Sequence, residues 1–173
     1  MGISVIFIGL PESQIEDLKQ KIGTAFPNIT FSYFNVSDVN ESSDVASKLP
    51  SDTSGVLILL GGIPRGGAGT LRPVLSKGYP TVLVADTYAY AVSAEFLMEY
   101  SRALRANLPV LGVPMKDPFN VGSLSKYIRM LVAIDRLRGS RIVAIVGPEE
   151  NWLFLRWFPL SIDFYSLRPY LQS

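Results

Sequence analysis

The densest cluster of chemically useful residues is Gly61-Gly62-Ile63-Pro64-Arg65-Gly66-Gly67-Ala68-Gly69-Thr70, which follows an apolar β-branched run. Glycines there would let backbone N–H groups approach an anion, with Arg65 and Thr70 as charged and hydroxyl donors. The segment lacks the Gly-Lys-Ser/Thr ending of a P-loop, and its glycines do not follow the dinucleotide fingerprint. Gly62, Arg65, Gly66, Gly67 and Thr70 are therefore candidates for an anionic or hydroxyl-rich ligand, and a plain surface loop is the competing reading. A second cluster forms at strand ends, where Asp86, Lys116, Asp117, Glu149 and Glu150 each follow an apolar run. Two such carboxylates could share magnesium or manganese, or divide acid and base roles. Aspartate after a strand is also a common turn former and helix cap. Asp86 and Asp117 are second choices on the same rim. The neighbouring Thr87-Tyr88-Ala89-Tyr90 offers hydroxyls and rings to a sugar face, or a packed loop.

Composition excludes more chemistry than it identifies. The 173 residues contain no cysteine and no histidine. Disulfides, thiolate nucleophiles, cysteine-ligated zinc, imidazole bases and Ser-His-Asp triads are all ruled out. Unaided chemistry would fall to carboxylates, lysine, tyrosine, hydroxyls or backbone dipoles. No cofactor is implied, and no metal outside the carboxylate reading. Sixteen basic against fifteen acidic side chains give a net charge of +1, too weak a field to imply nucleic acid or an anionic membrane. Arg129, Arg136, Arg138 and Arg141 read as a solvated helix face. The apolar runs are too short to span a bilayer, which takes about twenty residues, and no leader is apparent. The expectation is a cytoplasmic protein.

The elements that must position these residues alternate between short apolar runs and amphipathic segments, the pattern of a parallel sheet flanked by helices. Strands are expected at 3–10, 29–36 (near an edge), 55–60, 81–85, 110–113 and 142–146. A capping box at Ser13-Gln14-Ile15-Glu16 is expected to open the first helix. Shorter helices are expected at 44–49 and 71–77. The helix over 93–108 reads with Phe96, Leu97, Tyr100, Ala103, Leu104 and Leu108 inward, and Glu95, Glu99, Arg102 and Arg105 outward. The next, over 121–138, has Leu124, Ile128, Leu131 and Leu137 inward. The expected fold is a three-layer, doubly wound α/β domain with a mostly parallel sheet, flavodoxin-like or Rossmann-like, over residues 1–140. Ligands of such sheets sit beyond the carboxyl ends of the strands, where strand order reverses.

Residues 141–173 form a second segment, with the sixth strand and an aromatic tail. Trp152, Phe154, Trp157, Phe158 and Tyr165 would leave a large apolar patch in water unless the tail packs on its own domain or on another chain. These five residues are interface candidates. Self-association through 141–173 is expected, with a companion chain as the alternative.

Ser93-Ala94-Glu95, Leu131 through Arg138, and Ser140-Arg141-Ile142-Val143-Ala144-Ile145-Val146-Gly147-Pro148 resemble the amino-terminal region of L-fucose and L-arabinose isomerase-like proteins. There a Leu-Arg-x-Ser-Arg helix end leads into a hydrophobic strand and a Gly-x-Pro turn; here Gly147 and Pro148 are adjacent. Trp152-Leu153 and Ser161-Ile162-Asp163 follow, so the resemblance spans about Gly55 to Asp163. It implies a Rossmann-like first domain that builds the oligomer and closes over a neighbouring subunit's sugar site. The family's metal-binding carboxylates and histidine lie further along, so no catalytic ligand carries over. Three functions follow as expectations. The first is a non-catalytic or accessory domain in carbohydrate metabolism that self-associates and binds a sugar or phosphorylated metabolite. The second is a carboxylate and divalent-metal enzyme acting on a carbohydrate-type substrate through Asp86, Asp117 and Glu149. The third is a structural partner of another protein.

Overall fold

Gly2–Ile8 (β1) is buried at every position, as a continuous β-branched run must be when both of its faces are covered. A computed structural model describes residues 2–138, 142–146 and 162–166. Thr30–Val36 (β2), Thr53–Leu60 (β3), Thr81–Asp86 (β4) and Val110–Met115 (β5) join β1 in an all-parallel sheet of order β2-β1-β3-β4-β5. This is the flavodoxin-like order, with its reversal between β1 and β3. The alternating strand β2 is at an edge, and Pro114 sits in the opposite edge strand, where its missing N–H does least harm.

Among the described residues five helices follow the strands: α1 (Glu12–Ala25), α2 (Glu41–Lys48), α3 (Arg72–Leu75), α4 (Tyr90–Arg105) and α5 (Val121–Arg138). The period of two in the strands divides the core. Ile6, Ile8, Ile58, Leu60 and Leu83 pack with α2, α3 and α4. Ile3, Val5, Phe7, Leu57, Leu59, Val82 and Val84 pack with Ile15, Leu18 and Ile22 of α1 and Leu124, Ile128 and Leu131 of α5. A three-layer α/β sandwich follows from sequence alternation alone.

Three expectations need correction. The α1 helix starts at Glu12, where Pro11 is the cap and its carbonyl accepts the first helical N–H groups; Ser13 caps nothing. On α4 the orientation is turned. Val92, Glu95, Phe96, Glu99 and Ala103 are buried, whereas Leu97 and Leu104 face solvent. Leu137 is likewise exposed. The sixth strand stands where the sequence places it: β6 (Ile142–Val146) pairs in parallel with β7 (Ile162–Ser166), a strand the sequence reading missed, in a separate two-stranded sheet.

Contacts divide the chain into two units, Met1–Val132 and Ala133–Ser173. Among the described residues, no helix is long and apolar enough to cross a membrane.

Candidate functional site

The carboxyl-terminal rim of the sheet, where β1 and β3 part, is where this fold usually receives a ligand. Here the chain itself fills that place. Gly61 and Gly62 donate their N–H groups to the Ile8 carbonyl, at 2.9 and 3.3 Å. Gly62 lies so close to Gly9 that a Cβ on it would fall 2.7 Å from the Gly9 oxygen. A Cβ on Gly61 would meet the Leu10 side chain at 2.7 Å and Phe119 at 3.1 Å. These glycines therefore permit backbone to pack on backbone, not backbone on ligand.

Beyond Gly62 the loop crosses the end of β1 and docks on the loop after β2. Arg65 N–H donates to the Ser37 carbonyl at 2.9 Å, and Val39 N–H donates to the Arg65 carbonyl at 2.8 Å. The Asp38–Arg65 pairing is a one-residue parallel bridge that extends the sheet. Gly66 adopts φ +88, and a Cβ there would strike the Val39 side chain. The β2–α2 turn beneath is itself tied by Glu41, whose carboxylate accepts Ser37 N–H at 2.8 Å and Asp38 N–H at 3.1 Å. Those bonds hold the Glu41 carboxyl below its ordinary range, because they exist with the anion.

The loop's donors are largely engaged. Gly67 N–H bonds the Pro64 carbonyl at 3.3 Å. Gly69 N–H points at the Glu95 carboxylate, 2.9 and 3.0 Å from its two oxygens. Glu95 is buried, so an internal carboxylate takes the donor that an external anion would use. Thr70 is buried as well, and its hydroxyl has no hydrogen-bond partner among the described residues. Of the five loop candidates, Arg65 alone presents an exposed functional side chain at the rim.

The acidic candidates serve turns. Asp86 ends β4, and its Oδ1 accepts Tyr88 N–H at 3.1 Å. Asp117, at φ +51, shapes the turn before α5. Asp86 pairs in register with Met115, two positions before Asp117, so both residues belong to neighbouring strand ends. Among the described residues no three acidic side chains gather as a metal would require. Glu149 and Glu150 lie outside the described residues. Trp152, Phe154, Trp157 and Phe158 also lie outside them, and Tyr165 falls in β7, where the description is of the strand's backbone.

Sequence reasoning missed the face of α4. Tyr88 and Tyr90 are 82% and 89% exposed, Leu97 60% and Leu104 50%, with Met98 beside them. On the inner side, Glu99 is 1% exposed, and its Oε1 is shared by Arg102 and by Arg72, the latter at 3.5 Å. The i, i+4 spacing of Glu95 and Glu99 puts both carboxylates on one side of the helix but does not say which side is buried. No known family, no curated protein and no solved structure matches the chain.

Proposed function

We propose that this chain is a non-catalytic accessory domain, of the kind that opens L-fucose and L-arabinose isomerase-like proteins, and that it acts by self-association. A sugar or phosphorylated metabolite is the ligand class for its rim, where Arg65 offers an exposed charged side chain. The observation that carries the reading is the outer face of α4. Tyr90, Ala94, Leu97, Ser101 and Leu104 are all exposed and recur at steps of four and three residues. That is the spacing of a helix-pairing seam.

The occupant that fits is a second copy of the chain. One end of the seam carries Tyr90 and the other Arg105. An antiparallel two-fold pairing brings Arg105 of each copy over the Tyr90 ring of the other, a cation–π contact made twice by one symmetry operation. A sixteen-residue helix is about 24 Å long at ~1.5 Å per residue, enough to seat the whole seam. Carboxylates that would repel a copy of themselves are turned into the core: Glu95 and Glu99 are both buried. A patch of this kind is what soluble monomers avoid and interface centres display.

Sedimentation of the full chain from about one to about a hundred micromolar tests the proposal. The expected result is an average mass that climbs from one chain toward two. A single-chain mass at the highest concentration overturns it.

A further inference from the structure

On the inner side of the α4 carboxyl-terminal half, between α3, α4 and Leu108, lies a half-open cavity of about 150 Å³. Leu75, Ala106 and Leu108 give it apolar walls, and Arg72, Glu99 and Arg102 give it charge. We infer that this cavity is a binding site for a short aliphatic carboxylic acid, with the apolar body inside and the carboxylate on the two guanidiniums. The inference is independent of self-association.

Charge comes first. Two arginines converge on one oxygen of a single buried carboxylate. One guanidinium neutralises Glu99, and the second leaves a surplus of one positive charge, which a monoanion balances. Each guanidinium has five N–H donors in a planar fork. Each gives one nitrogen to Glu99, and both remain about half exposed, at 56% and 45%. The donors left over suit the two oxygens of a carboxylate.

Geometry narrows the class. A surplus of one positive charge, set beside the carboxyl-terminal end of α4, matches a monoanion better than a dianion such as phosphate. Walls of leucine and alanine favour a hydrocarbon body over a sugar. A void of ~150 Å³ takes up a body of about six carbons, by comparison with a benzene-binding cavity of that size. The buried Glu99 carboxylate holds both arginines in place before any ligand arrives, so little side-chain entropy remains to be lost on binding.

The test titrates the full chain with isovalerate, its neutral isostere isovaleramide, and inorganic phosphate, followed by amide chemical shifts and calorimetry. The expected result is saturable isovalerate binding that shifts the signals of Leu75 and Ala106. Isovaleramide and phosphate should bind at least about tenfold more weakly, the loss expected for a charge-assisted pair. Arg72→Gln should weaken isovalerate by about tenfold or more. Ala106→Leu fills the cavity from an exposed helix-end position and leaves every charge in place, so it should abolish binding in a folded protein. The inference is overturned if isovalerate does not saturate, if the amide or phosphate binds as well, or if Ala106→Leu retains the parent affinity.

Discussion

Leu97→Ala separates a seam on α4 from every other route to assembly. The side chain is 60% exposed in the single chain, so the folded domain gains little from it. Truncation should leave chain stability within about 0.5 kcal/mol, as at other surface positions. In a pair of chains the same leucine becomes covered. Full burial of a leucine contributes about 1.5–3 kcal/mol. The exposed share of Leu97 corresponds to about 1–2 kcal/mol per copy. Two-fold symmetry counts the loss twice, giving about 2–4 kcal/mol per pair, or about thirty-fold to several-hundred-fold in Kd. Sedimentation equilibrium gives that Kd, and urea unfolding at a concentration where only single chains exist gives the stability. The prediction is an unchanged unfolding midpoint with a weakened association. An unchanged Kd would refute the seam and move assembly to the aromatic tail around Trp152 and Trp157. A large drop in the stability of the single chain would refute the premise that Leu97 faces outward.

Three other outcomes follow from the packing and hydrogen bonds described above. Gly62→Ala forces a Cβ to within 2.7 Å of the Gly9 oxygen and should lower unfolding free energy by about 1–3 kcal/mol, the usual penalty of overpacking. Gly23→Ala, in α1 with nothing within 4 Å of the new methyl, should raise it by about 0.5–1 kcal/mol; urea denaturation that ranks these two variants in the opposite order would contradict the close approach of Gly9 and Gly62. Glu41 has a lowered carboxyl pKa in the folded chain, so its contribution is complete above the unfolded value near 4.5 and disappears as pH falls through the folded one. Stability of the parent should therefore fall more steeply than that of Glu41→Gln below about pH 4.5, and parallel acid limbs in thermal melts would count against the Ser37 and Asp38 bonds.

Much of the layer architecture was legible in sequence because burial on both faces demands continuous apolar runs. β1, β3 and β4 carry such runs and occupy the middle of the sheet, whereas the alternation in β2 marked it as an edge. The facing of α4 was not legible. Its apolar residues surround most of the helix, and the groups that turn Glu95 and Glu99 inward, Gly69 N–H and the Arg72 guanidinium, come from the loop and helix after β3. Local periodicity contains no trace of a partner 26 residues away. The glycine loop was ambiguous for a related reason. A missing side chain signals that something approaches closely, but it does not say whether that neighbour is a phosphate or Gly9. β7 was missed because Ile162–Ser166 alternates over too few residues to stand apart from the aromatic segment around it.

The two inward glutamates of α4 have a consequence for how the domain reaches a unique structure. A cylinder greasy on opposite sides could seat itself on the sheet at either of two angles with comparable burial. Hydrocarbon contacts discriminate poorly between such settings, and the one that turns Glu95 and Glu99 inward is the one in which Gly69 N–H and the two guanidiniums meet their carboxylates. Glu95 and Glu99 thus behave as keys cut for two separate locks, Gly69 N–H and the arginine pair. They select one rotation of the helix, and by doing so they decide which leucines the molecule shows to its surroundings.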